Sequence, residues 1–258
     1  MERSRTLAPA TAPAVTPAVG SPAWWAGWGD RLARRRPRAD GLTIEQIVVA
    51  AIAIVDAEGL DALTVRRIAE RFGTGSATLY RHFTSREALL ELMVDHVIGE
   101  VRMPPADRRG RGTVEWLAAE LRRVLMAHAA LVPVLATSPL LGPNATRGAD
   151  RGLAGLIEAG YPPPAALHGY RALLDFVFGT VFFDTSRAGT AGPEERAGAP
   201  AVLPDSAVPT LRAHRPALAR LDGESVFLFG LRALLDGMER RHLPAPGPGD
   251  GGDGGDDD

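Results

Sequence analysis

The chain has 258 residues, with 29 basic against 31 acidic side chains for a formal charge of -2, so no global positive field draws it toward nucleic acid or anionic membrane. Cysteine is absent, which excludes disulfides, thiol redox sensing and cysteine-ligated zinc. Every basic residue is an arginine, the usage expected of a G+C-rich bacterial genome, and with neither an apolar signal core nor a membrane-length apolar run the expected location is the cytoplasm.

Residues 1–40 read as an unstructured Ala/Pro-rich extension, because the opening TLAPATAPAVTPAVGSP places proline every few residues. Its end is distinctive: Trp24, Trp25 and Trp28 precede Arg31, Arg34, Arg35, Arg36 and Arg38. Such a run is either an arm for a DNA minor groove or a solubilising linker, and a transient membrane or protein docking role for the three tryptophans stays open. Next, Thr43 caps an apolar-periodic helix whose inner stripe is Ile44, Ile47, Val48, Ala51, Ile52 and Val55, with Gly59 just past its end. Thr64 then caps a short helix that buries Val65, Ile68, Ala69 and Phe72 and turns Arg66, Arg67, Glu70 and Arg71 outward. Gly73 stops it, Thr74 and Gly75 form a turn, and Ser76 caps a second short helix, ATLYRHF. There Leu79 and Phe83 face inward and Ala77, Thr78, Tyr80, Arg81 and His82 remain outside. Ser85 caps a longer helix with the stripe Leu89, Leu92, Met93, His96 and Val97.

Two short helices joined by a glycine-bearing turn form the pattern of a helix-turn-helix. On its outer face Ala77 and the Thr78 methyl suit a thymine methyl, the hydroxyls of Thr78 and Tyr80 suit phosphate oxygens, and Arg81 can fork onto guanine. The words GTGSATLYRHFTSREALL, with the long helices on either side, closely resemble the amino-terminal domain of the tetracycline-repressor (TetR) family of bacterial transcription regulators over residues 41–99. The resemblance implies backbone or base contacts at Val65 and Arg66, base-facing positions at Ser76, Ala77 and Thr78, phosphate contacts at Tyr80 and His82, and a basic contact at Arg86. Ser76 and Ala77 stand where some members carry glutamine and proline, so no operator sequence transfers. Tyr80 either offers its phenol to DNA or packs its ring inward, and His82 either meets phosphate or pairs with backbone.

Residues 100–243 repeat helix signals. Thr113 caps a helix with the face Trp116, Leu117, Leu121, Val124, Leu125 and His128; Pro133 and Pro139 bracket a turn or two; a helix runs from about Asn144 to Ala159. A long helix follows that is apolar almost all round, including Tyr170, Leu173, Phe176, Phe182 and Phe183. Residues 186–209 read as a loop, and the last helix carries Val226, Phe227, Phe229, Leu231, Leu234, Leu235 and Met238. Residues 244–258 form an acidic tail. The two strongly apolar helices are either monomer core or, as the resemblance implies, the interface of a homodimer that would read two half-sites. Between reader and interface the sequence outlines an apolar chamber: Met93, His96, Val97, Trp116, Leu121, Leu125, His128, Leu135, Leu173 and Phe176. In the resembled family such a chamber holds a small-molecule inducer that weakens operator binding; His96 and His128 either orient that ligand or are packed core histidines.

The expected fold is therefore all-α, a three-helix helix-turn-helix DNA-binding domain followed by a helical ligand-binding and dimerisation domain. The expected partners are double-stranded operator DNA, a small-molecule effector and a second copy, with no metal, no cofactor and no membrane. An all-helical enzyme and an architectural DNA binder without an effector are the rival readings. Against the enzyme stand the lack of a phosphate-binding glycine loop, HExxH, GxSxG or a thiol nucleophile.

Overall fold

Hydroxyls acting on amides three residues away start three helices of the first domain where the sequence places them. In the computed structural model, which describes residues 16–34, 41–187 and 203–242, Thr43 opens α2 (Ile44–Glu58) with a complete capping box. Thr43 Oγ1 accepts from the Gln46 amide at 3.1 Å and Gln46 Oε1 accepts from the Thr43 amide at 2.9 Å. Thr64 opens α3 (Val65–Arg71) and Ser85 opens α5 (Arg86–Gly99) by the same bond to the third amide. Between them Gly73, at φ 60, takes the left-handed conformation that turns the chain into α4 (Ser76–Leu79). Here the expectation is corrected twice: Gly75 is the cap, with Ser76 already the first helical residue, and the helix ends at Leu79, leaving Tyr80, Arg81 and His82 in the following turns.

The second domain consists of α6 (Arg111–Ala127), α7 (Val132–Thr137), α8 (Pro143–Glu158), α9 (Pro163–Arg187), α10 (Pro209–Leu218) and α11 (Gly223–His242). Helices α6, α8 and α9 pack against one another, α11 lies on α9, and α5 runs from the first domain onto α8. No strand occurs among the described residues. Thr113 does not cap α6. Gly110, at φ 52, takes that place, while Thr113 is fully buried, donating to the Arg108 carbonyl at 2.9 Å and accepting from Arg151 at 3.0 Å. Arg122 on α6 is buried against the Phe227 ring and bonds Asp184 at 2.8 Å, tying α6 to both α9 and α11. Helix α10, absent from the sequence reading, begins at a proline and buries none of its residues.

The amino-terminal extension is the largest departure. Residues Pro22–Arg34 form α1, in which Trp24 and Trp28 stack at 5.7 Å and join the hydrophobic core with 5% and 7% of their surface exposed. Gly20, just before it, lies so close to Glu91 of α5 and to Pro139 that an added Cβ would come within 3.0 Å of the Glu91 carboxyl carbon. The tryptophans are core rather than a free arm. The arginine run 35–38, the opening residues 1–15, most of the expected loop and the acidic tail lie outside the described residues.

Candidate DNA reader and effector chamber

In the first domain Leu79 and Phe83 are sealed, with 0% and 1% exposed, and they fix the face that looks outward. On it Ala77 and Arg81 are exposed, Ser76, Thr78 and His82 are half-buried, and Tyr80 is 53% exposed with its ring tilted against Phe83 at 6.0 Å. Tyr80 thus anchors one ring edge on the core and leaves the rest of its surface to solvent. Val65 is half-buried at the start of α3; Arg66 is exposed and paired with Glu70 at 2.9 Å. Arg86 donates to the Leu60 carbonyl at 3.3 Å and is itself exposed. All nine sequence-derived reader positions therefore lie in one stretch, partly or fully open to water.

The second domain holds a cavity of about 520 Å³. Its walls are Leu117 and Leu121 from α6, Leu135 from α7, Gly148 and Gly152 from α8, and Leu173, Val177 and Phe178 from α9. The end of the reader's exit helix supplies Ile98, and the chain just beyond adds Val101 and Met103. Polar groups are few. Tyr170 reaches it over Gly152, where a Cβ would come within 3.1 Å of the ring; burial pushes the phenol pKa up, and the hydroxyl makes no hydrogen bond among the described residues. An Arg171–Asp175 pair at 2.9 Å, both members largely exposed, stands at the rim.

Of the expected chamber residues Leu121, Leu135 and Leu173 line this cavity, and the others are elsewhere. Met93, Val97 and Leu125 are fully buried packing residues. Trp116 donates to the Arg102 carbonyl at 3.0 Å with Arg108 over its ring, Phe176 stacks on Phe227 at 5.5 Å, His96 is half-buried on α5, and His128 lies between two carboxylates. The apolar stripe identified what points inward, but the void lies among α6, α7, α8 and α9, lined by residues other than most of those in the stripe.

Two polar joints, neither visible in the periodicity, tie α5 and the chain just beyond it to the cavity wall. Asp95, 8% exposed, accepts from the amides of Asn144 at 2.9 Å and Ala145 at 3.1 Å, and so caps α8 from another helix. Asn144 Nδ2 answers with bonds to the Asp95 carbonyl at 2.9 Å and Oδ2 at 3.1 Å. Gly142 is obligatory beside it, because any Cβ there would collide with the Asp95 carboxylate. The second joint is Glu120, buried on α6 and gripped by Arg102 at 2.6 Å and Arg123 at 3.0 Å. Those guanidinium bonds hold its pKa down to about 2. Arg102 sits between the cavity-lining Val101 and Met103.

Residues 47–93 match the family model for bacterial regulatory proteins of the tetR family, and residues 103–242 match that for the tetracyclin repressor-like C-terminal domain. An HTH-type transcriptional regulator of Saccharopolyspora erythraea is 35% identical over 141 residues, 54% of this chain and 60% of that protein's length. The HTH-type transcriptional repressor DrrR1 of Streptomyces coeruleorubidus is 31% identical over 212 residues, 77% of each chain. The crystal structure of the Streptomyces coelicolor TetR family protein ActR in complex with actinorhodin superposes with a TM-score of 0.70 at 34% identity, covering 79% of this chain and 100% of that one. With both domain models matched in order and the reader built as described, the chain belongs to the TetR family: it is a DNA-binding transcriptional regulator and not an enzyme.

Proposed function

We propose that the protein is a cytoplasmic homodimeric repressor that grips a palindromic operator and releases it when a small, largely apolar molecule enters the 520 Å³ cavity. The observation that carries this reading is the shared wall: Ile98 belongs to both the cavity and the helix that leaves the reader. A cavity of this size suits a drug-sized ligand, and its few polar groups would set orientation. The ligand's leverage is its differential affinity for the two reader poses. Asp95 supplies the coupling, since α8 cannot shift around a ligand without drawing on the carboxylate that joins it to α5. Val65, Arg66, Ser76, Ala77, Thr78, Tyr80, Arg81, His82 and Arg86 contact the duplex in this reading. Pairing is supported by apolar surface on the last two long helices, with Leu167, Phe183 and Phe229 exposed at 58%, 56% and 76%.

The test is fluorescence anisotropy on a duplex selected from genomic fragments by the protein itself, titrated with actinorhodin as first probe because ActR is solved in complex with it. Saturable binding to the duplex, reversed by the probe in wild type and less readily in Tyr170→Phe, is expected. Release that is indifferent to substitutions lining the cavity, such as Leu121→Trp, would place the effector elsewhere.

A further inference from the structure

The seam between the two domains is polar, and one histidine occupies its centre. His128 closes the C-terminal end of α6. Its Nδ1 lies 2.8 Å from Asp56 Oδ2 on α2 of the reader, and its Nε2 lies 3.1 Å from Oε2 of Glu100, the residue after α5. The imidazole is only 12% exposed. Behind this triad the Glu100 carbonyl accepts from Arg123 at 3.3 Å, and Arg123 and Arg102 share the Glu120 carboxylate. The charged groups around the ring are thus Asp56 from the reader, Glu100 just past its exit helix, and the Arg123–Glu120–Arg102 cluster from α6 and the chain beside it.

Both ring nitrogens face carboxylate oxygens, and that arrangement has a chemical consequence. A neutral imidazole carries one N–H and can donate to only one of them, leaving a lone pair against the other carboxylate; the imidazolium donates to both through charge-assisted bonds. We infer that His128 is a positioning residue, a proton-dependent clamp that fixes the angle of the DNA reader on the second domain. Protonated, it locks α2 and the end of α5 to α6 in the operator-binding pose. Deprotonated, it releases one side, and the reader gains freedom that must be lost again on DNA. The clamp rests on the proposed repressor reading in taking the effector-free pose as the operator-binding one, and it does not depend on what fills the cavity.

The experiment measures operator affinity of the full-length protein from pH 5.5 to 8.5, using the duplex selected from genomic fragments, while histidine ring resonances follow titration by NMR. In wild type, affinity should fall roughly tenfold from the acid to the alkaline end of this range, the scale of one charge-assisted bond. In His128→Gln the profile should flatten, with helix content unchanged by circular dichroism. Asp56→Asn, which keeps the histidine but removes the carboxylate on the reader, should flatten it equally and serves if His128→Gln fails to fold. A pH profile that keeps the wild-type slope in the folded variants overturns the clamp, as does an affinity that rises with pH in wild type relative to them.

Discussion

Glu120 and Asp95 are both carboxylates withdrawn from water, yet their surroundings drive them in opposite directions. Arg102, then Arg123, holds Glu120 near 2 against an ordinary 4.5, so its contribution to stability is complete above about pH 4.5 and is lost as pH falls toward 2. Burial pushes Asp95 above its ordinary 3.8 although backbone amides pull the other way, so its native state favours the proton. That contribution is present below pH 3.8 and is lost as pH rises through the raised native value. Urea midpoints taken between pH 2 and 7 should show a steep acid limb in wild type that Glu120→Gln flattens. Asp95→Ala strands the two amides of α8 and should cost about 1–3 kcal/mol at neutral pH, measured by the same denaturation. Tyr80→Ala, at a half-exposed position, should instead leave Tm unchanged and abolish the operator shift. At this scale the sequence was legible where partners are local. Thr43, Thr64 and Ser85 act on amides three residues on, whereas Asp95 acts on residues almost fifty positions away, which no periodicity reveals. Ser76 and Thr113 looked like caps because their chemistry fits; Gly75 and Gly110 took the caps because the backbone bends one or more residues earlier.

Among the elements, α1 was hidden by the run of prolines leading into it. They do break helices, but Pro22 stands at a first position, where its missing amide costs nothing, and Trp24 and Trp28 then recur at one-turn spacing. If the helix is part of the core, Trp24→Ala should destabilise the protein by about 3–5 kcal/mol in guanidinium titration; a detached arm would show almost no effect. Helix α10 was hidden for another reason: it buries nothing, so it carries no inward stripe to detect. The joint between α5 and α8 can be probed as an element by Gly142→Ala, whose methyl must displace the Asp95 carboxylate. A loss of about 1–3 kcal/mol is expected, together with weaker communication between cavity and reader. Helices α2, α3, α5, α7, α8, α9 and α11 were legible to within a residue or two, whereas α4 ends four residues before the Phe83 read for it and α6 begins three residues before the start that a Thr113 cap implied.

For the whole molecule the property to test is the proposed pairing. Phe229→Asp places a charge on the most exposed apolar side chain of α11 and should yield monomers in sedimentation, with the operator shift lost because one reader spans too few base pairs. The fold class and the reader were readable from sequence because both rest on short-range pattern. The chamber was read only in part, because a void is set by how far three helices splay, and equally apolar stripes can close completely, as at Met93 and Leu125. One feature of that wall offers a practical return. The chain has four tryptophans, three of them in α1, and the fourth, Trp116, is bonded through its indole to Arg102, between two residues of the cavity lining. Excited selectively in a variant whose other indoles are replaced by phenylalanine, Trp116 should serve as a built-in optical gauge, reporting by colour and lifetime the entry of the proposed guest, without label or DNA.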